Sequence, residues 1–124
     1  MQEYKRYLLK DLRTRHPDGK IILVPEKEPT EFVCELPRTN TLDKQSTAIV
    51  VIEKSKPHFH KHTTEVYLVE RGNPTLYIDD RVYLLSPGDV AIILPGQRHW
   101  AEGNLAWVRV VTTPQWDASD YHLV

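Results

Sequence analysis

The stretch His58-Phe59-His60-Lys61-His62-Thr63-Thr64-Glu65-Val66-Tyr67-Leu68-Val69 decides how this chain is read. It joins a dense histidine cluster to an apolar run, and both halves ask for an extended backbone. Alternate side chains of an extended segment share a face, so His58 and His60 project to one side about 6.6 Å apart at the backbone. Two imidazoles can lean together from that separation onto one ion at roughly 2.1 Å each. His62, about 13 Å from His58 by the same rise, is out of reach without a sharp bend. In the run that follows, Glu65, Tyr67 and Val69 share one face and Val66 and Leu68 the other. If Lys61 to Thr64 reverses the chain, Glu65 returns beside the histidine pair.

Outward from this stretch, the chain from Gln45 onward is a series of short β-branched and aromatic runs broken by Pro, Gly, Asn and Asp. The pattern predicts strands over Ser46–Ile52, Glu65–Val69, Thr75–Ile78, Val82–Leu84, Val90–Ile93 and Leu105–Thr112. Turns fall at Arg71-Gly72-Asn73-Pro74, Asp79-Asp80, Ser86-Pro87-Gly88-Asp89 and Pro95-Gly96. An all-β sandwich or barrel follows. Towards the N-terminus, Ile21–Val24 and Phe32–Leu36 predict two more strands, which either widen the barrel's sheets or pair with a neighbouring subunit. Tyr4, Leu8, Leu9 and Leu12 fit one face of a short amphipathic helix, and a poorly ordered arm is equally consistent. The expected organisation is one domain: residues 1–44 as an N-terminal arm with extra strands packing on the barrel, and 45–124 as the barrel with its tail. The tail, Pro114–Val124, is polar apart from Trp116 and Tyr121 and is expected along the outside.

Whole-chain properties narrow the function. At 124 residues and 40% hydrophobic content, the chain supports one sizeable core. Sixteen basic and seventeen acidic residues leave a net charge of −1, with no Lys/Arg block to track a phosphate backbone, so no nucleic-acid partner is expected. Met1 to His16 is charged throughout and has no apolar stretch for export or membrane insertion, which predicts a cytoplasmic protein without a membrane partner. The single cysteine, Cys34, allows no intramolecular disulfide and reads as a small apolar strand residue.

His99, just after the Pro95-Gly96 turn, is the fourth candidate ligand beside His58, His60 and Glu65. Imidazole and carboxylate together suit Mn, Fe, Co, Ni or Zn without ranking them. The expected cofactor is therefore one divalent metal ion.

The spacing of these residues resembles the cupin superfamily. That family's first box reads His-x-His, four residues, Glu, six residues, Gly, matched here by His58, His60, Glu65 and Gly72. Its second box opens with Gly and closes with Pro-x-Gly-x-x-His, matched by Gly88 and by Pro95-Gly96-Gln97-Arg98-His99. Ile52 stands where the first box usually begins with Gly, Leu94 replaces the first Pro of the second, and Asn104 comes one residue late. These departures concern turns and strand edges and leave the ligand positions intact. The resemblance covers roughly residues 46 to 113. It implies a double-stranded β-helix, a jelly-roll barrel with an N-terminal extension, holding the metal inside its open end. Small cupins of the conserved-barrel type commonly pair through their sheets, so the resemblance also implies a homodimer.

Four protein ligands on an ion that prefers six leave positions for exchange. The favoured expectation is an enzyme acting on a small polar molecule (a sugar, sugar phosphate or oxo acid) by isomerisation or proton transfer. The alternatives are an Fe(II) or Ni(II) dioxygenase and a non-catalytic small-ligand binder. Tyr67 shares Glu65's face and is a candidate proton or hydrogen-bond donor, or else a barrel-filling aromatic. His62 either flanks the mouth as acid or base or is a solvated loop residue. Trp107 and Arg109 share a face of the last long strand; they are candidate pocket residues if they turn inward, Arg109 then gripping an anion, although the outward orientation is preferred. Lys61 and Arg98 are assigned to the surface.

Overall fold

The structure, a computed structural model, describes residues 1–38 and 44–124. Part of the boundary between the expected N-terminal segment and the barrel, residues 39–43, therefore lies outside the described residues.

Helix α1 spans Glu3–Arg15. Its buried residues, Lys5, Leu8 and Leu12, recur at three- and four-residue intervals and form the stripe that faces the sheet. Lys5 is buried at a cost that its ammonium offsets by donating to the Pro29 carbonyl at 2.7 Å. Tyr4 stays exposed at the helix start and donates its hydroxyl to Glu53. The helical alternative for this segment is the one the structure adopts.

Ten strands follow: β1 (Lys20–Val24), β2 (Glu31–Glu35), β3 (Ser46–Lys54), β4 (His58–Phe59), β5 (Thr64–Arg71), β6 (Thr75–Ile78), β7 (Arg81–Leu84), β8 (Val90–Ile93), β9 (His99–Thr113) and β10 (His122–Leu123). All pairings are antiparallel. Strand β9 organises the barrel. Its first part pairs with β6 and β4, while its later part lies between β3 and β5. The Gly103-Asn104-Leu105 segment interrupts the apolar pattern, so the periodicity predicts only Leu105–Thr112, whereas pairing on both sides carries the strand back to His99. Register shifts opposite this bend, after Ile52 and Val69, let the sheet curl. The first box's Gly72 has φ of +82°, and a Cβ there would sit 3.1 Å from the Ala106 Cα. A side chain at 72 is thus opposed by backbone conformation and by space.

The apolar runs at 21–24 and 32–36 widen the sheet within the same chain, as the order β1-β2-β3-β9 shows. Alternation then gives this sheet two apolar faces. Val50, Ile52, Val108 and Val110 point into the barrel with Val69, Leu76, Ile78 and Ile93. Phe32, Cys34, Ile49, Val51 and Trp107 point the other way, under Leu8 and Leu12 of the helix. The helix therefore seals the outer face of the sheet. The inner face is left to the barrel core and, toward one end, to a cavity.

Candidate metal centre

Strand pairing assembles the ligand cluster. β4 carries His58 and is paired with the start of β9, which places His58 directly opposite His99 in register. His60 follows β4, and Glu65 enters one residue into β5, next to the end of β9. All four side chains are buried, and one ligand atom from each lies within 4.8 Å of all the others. Glu65 Oε1 is 3.0 Å from His60 Nε2 and 3.0 Å from His99 Nε2.

Each histidine is oriented by a backbone carbonyl. His58 Nδ1 meets the Lys56 carbonyl at 2.6 Å, His60 Nδ1 the Asp120 carbonyl at 2.7 Å, and His99 Nδ1 the Gln97 carbonyl at 3.0 Å. A carbonyl only accepts, so each Nδ1 carries a proton, and each ring in its neutral form turns the lone pair of Nε2 inward. The consequence is a concentration of lone pairs. His60 Nε2, Glu65 Oε1 and His99 Nε2 are buried, and none has a hydrogen-bond partner. Unpartnered buried acceptors at 3.0 Å from one another repel, and a cation at their centre removes the conflict. The donor set fits a divalent metal.

Ionisation agrees with that fit. Burial, reinforced by the neighbouring His99, holds the His58 imidazole down to about 4, so it is a neutral donor at ordinary pH. Burial raises the Glu65 carboxyl, but the close approach of the His60 and His99 rings outweighs it and brings it to about 2. Burial lowers His60, and Glu65 more than reverses this, leaving it raised from the ordinary histidine value. A metal ion held by these atoms would supply Lewis-acid polarisation of a carbonyl or activation of a water.

The C-terminal tail completes the centre: its polar composition predicts a place along the outside, whereas strand pairing draws it against the histidines. β10 pairs with β4. Tyr121 stacks on His58 with ring centroids 4.5 Å apart. The Asp120 carboxylate, buried, accepts from the Lys61 and His62 N–H groups at 2.7 and 3.0 Å and from the Thr63 hydroxyl at 3.0 Å. Burial raises that carboxyl, yet these donors prevail and hold it well below the usual carboxylate range. One residue therefore fixes the loop between His60 and Glu65 through its side chain and the His60 ring through its carbonyl. Asp120→Ala is expected to weaken Zn(II) or Co(II) affinity by about tenfold to a hundredfold, measured by competition with a chelator. An unaltered affinity would reduce the tail to a cover.

The other candidates separate cleanly. Tyr67 lines the cavity together with His58, His60 and Glu65. His62 is exposed and lies among Lys61, Thr63 and the tail residues 114–120 and 122, outside that cavity. Trp107 and Arg109 do not line it either: of the two orientations open from the sequence, they take the preferred outward one, not the inward one that would make them pocket residues. Trp107 packs beneath the helix, and Arg109 pairs with Glu70 at 3.3 Å on the outer surface. The reason is the pleat: Val108 and Val110 take the inward positions of β9, which sends their neighbours out. Lys61 and Arg98 are exposed.

The cavity measures about 520 Å³. Strands β1 and β2 supply Ile22, Val24, Glu31, Val33 and Glu35 to its lining, and the tail supplies Trp116 and Tyr121. None of these stood out as a site residue in the sequence. The alternation Glu31-Phe32-Val33-Cys34-Glu35 was the available signal, since its two carboxylates share a face with Val33.

Comparison with known proteins settles the family. The Cupin domain model matches residues 48–110, which is 63 of the 124 residues. The chain belongs to the cupin family. Among solved structures, this cupin is similar to Pac13 from Streptomyces, described as a unique nucleoside dehydratase, at 13% identity and a TM-score of 0.74, covering 88% of this chain and 87% of that one. It is similar to KdgF from Halomonas sp. at 19% identity and a TM-score of 0.67, covering 82% and 92%. A cupin-like protein from Thermotoga maritima aligns at 20% identity and a TM-score of 0.60, covering 76% and 75%. At these identities the likeness is one of fold, and it agrees with the all-β barrel of this chain. Among curated proteins none matches the sequence. No helix of the described residues is long and apolar enough to cross a membrane.

Proposed function

We propose that this cupin is a metal-dependent enzyme that moves a proton on a small polar molecule, such as a sugar, sugar phosphate or oxo acid, in an isomerisation or related reaction. The observation that carries this reading is the set of buried, unpartnered lone pairs on His60, Glu65 and His99, with His58 beside them, bordering a cavity of about 520 Å³. That volume lies in the range of small-molecule sites. Four protein ligands leave exchangeable positions on an ion that prefers six. Tyr67 adds a proton donor: burial above all, with the charge of Glu65, raises its hydroxyl well above the usual tyrosine range, so it stays protonated and donates. The same fold supports a nucleoside dehydratase, and elimination of water likewise turns on proton transfer.

The test is elemental analysis of the chain purified without added metal, followed by anaerobic isomerisation assays on a panel of aldoses, ketoses, their phosphates and oxo acids. Near-stoichiometric metal with turnover in the absence of oxygen is the expected result. Oxygen consumption coupled to substrate loss would replace this reading with a dioxygenase. A chain that neither contains nor accepts metal would remove both.

We infer a cytoplasmic homodimer as its working form. The outer face of β5 and β8 supports the pairing: Val90, Ile92 and Leu94 are 59, 57 and 53% exposed. Val66 and Leu68 lie directly opposite Ile92 and Val90 on the neighbouring strand. Such a contiguous apolar face marks an association surface. A gel-filtration mass of twice 14.4 kDa is expected, and a monomer mass would refute it.

A further inference from the structure

The Glu31 side chain is not one of the four clustered ligand groups, yet it lines the same cavity. It opens β2, in register with Val24 of β1 and Ile52 of β3. The pleat of β2 buries Phe32 and Cys34 under the helix and directs Glu31 and Val33 to the cavity. Among the described residues no hydrogen bond or ion pair engages the Glu31 carboxyl. Its charge is nevertheless felt at Tyr67 and Tyr121, and that of Glu65 is felt at Glu31, so these groups border one space.

We propose that Glu31 is an acid–base residue of this site, exchanging a proton with a ligand held beside His58, His60 and Glu65; the assignment rests on the metal-dependent reading above. As a carboxylate it removes a proton from a ligand O–H or activated C–H, and the bonding pair stays on the ligand. As the resulting acid it returns that proton to a neighbouring ligand atom, so proton and electron pair balance without an oxidant or reductant. The groups facing it suit the task. Glu65 and Tyr67 come from β5, Tyr121 from the tail, Glu35 from its own strand, Arg38 from the segment that follows it, and His58 and His60 from the segment around β4. Burial first, and then the charge of Glu65, raises the Glu31 carboxyl to about 7, where both protonation states are populated at neutral pH. The cavity's aliphatic side chains, Ile22, Val24 and Val33, supply the apolar setting behind that shift.

The experiment uses the full chain loaded with Co(II) and titrated with azide, following the visible spectrum between pH 6 and 8. Wild type, Glu31→Gln and Glu31→Asp are compared. In the wild type, ionisation of Glu31 places a negative charge near the anion, so azide affinity is expected to fall by on the order of tenfold across this range. Glu31→Gln should flatten that limb, Glu31→Asp should retain it, and all three should bind Co(II) equally. Competition from hydroxide is common to the three proteins and cancels in the comparison. Equal Co(II) uptake with coincident pH limbs in wild type and Glu31→Gln would overturn the Glu31 assignment alone. Loss of Co(II) uptake in both variants would make Glu31 structural and overturn it as well. Failure of the wild type to bind Co(II) would overturn the metal reading and this assignment with it.

Discussion

Saturation with Zn(II), Ni(II) or Co(II) is expected to raise the melting temperature of this chain by about 10–20 °C, and His99→Ala is expected to abolish most of that rise. Once His60 has lost its proton, the lone pairs on His60, Glu65 and His99 repel in the metal-free protein and bind in the metal-loaded one, so the ion stabilises the folded state selectively. At a free concentration of about 1,000 times Kd the gain is about 4 kcal/mol. For a domain of this size each kcal/mol corresponds to roughly 3–5 °C. His99 is fully buried, is fixed by the Gln97 carbonyl and faces His58 across a strand pair. Its removal takes one of four ligands and should weaken affinity on the order of a hundredfold or more, beyond the tenfold to hundredfold typical of losing a supporting group. The barrel should survive, because Val50, Ile52, Val69, Val108 and their neighbours form the core without it. The effect has a pH direction. His60 is raised above 6.5 by Glu65, so the stability this pair lends the metal-free chain is present below 6.5 and lost as pH rises through the folded-state value. Protons leave His60 over the same window, so the thermal gain from metal should be larger at pH 8 than at pH 6. A melting temperature indifferent to every ion, or a His99→Ala protein that keeps the wild-type rise, would refute the centre.

Trp107→Ala is expected to cost about 3–5 kcal/mol of stability while leaving metal affinity unaltered. Trp107 is 7% exposed and fills the layer between Leu8 and Leu12 of the helix and Phe32, Ile49 and Val51 of the sheet. The guanidinium groups of Arg71 and Arg15 lie 5.0 and 5.7 Å from its ring centroid, which adds cation–π attraction. Domains have total stabilities of about 5–15 kcal/mol, so this loss removes a large share and should lower the melting temperature by more than about 10 °C. Thermal unfolding and a chelator competition titration check the two halves. A near-normal melting temperature with weakened metal or ligand binding would return Trp107 to the cavity.

The arrangement of the centre also bounds its chemistry. Glu65 is ionised and His58 neutral over the ordinary pH range, so two of the four ligands are ready to bind without losing a proton. The third, His60, is the proton competitor. Burial above all holds the Tyr67 hydroxyl protonated.

Local sequence determined much of this. The period-two alternation of β-branched residues specified the strands from 46 to 93, because each such run must bury one face, and Pro and Gly marked where the chain turns. The resemblance of the His58, His60, Glu65 and His99 spacing to the two cupin boxes marked the ligand set, and alternation on an extended backbone put His58 and His60 on one face; the pairing of β4 and β5 with β9 brings Glu65 and His99 to them. Sequence was silent wherever a choice between two faces depended on what packs against them. Trp107 is sent outward only because α1 arrives to cover it, and Val108 and Val110 go inward because the barrel closes on them. Glu31 and Tyr121 reach the cavity only through the pairing of β2 with β3 and of β10 with β4. The cluster was legible because its residue types and spacing resemble the cupin boxes, whereas the walls of the cavity carry no such pattern: they are contacts between segments far apart in the chain, and only tertiary packing decides which of them meet.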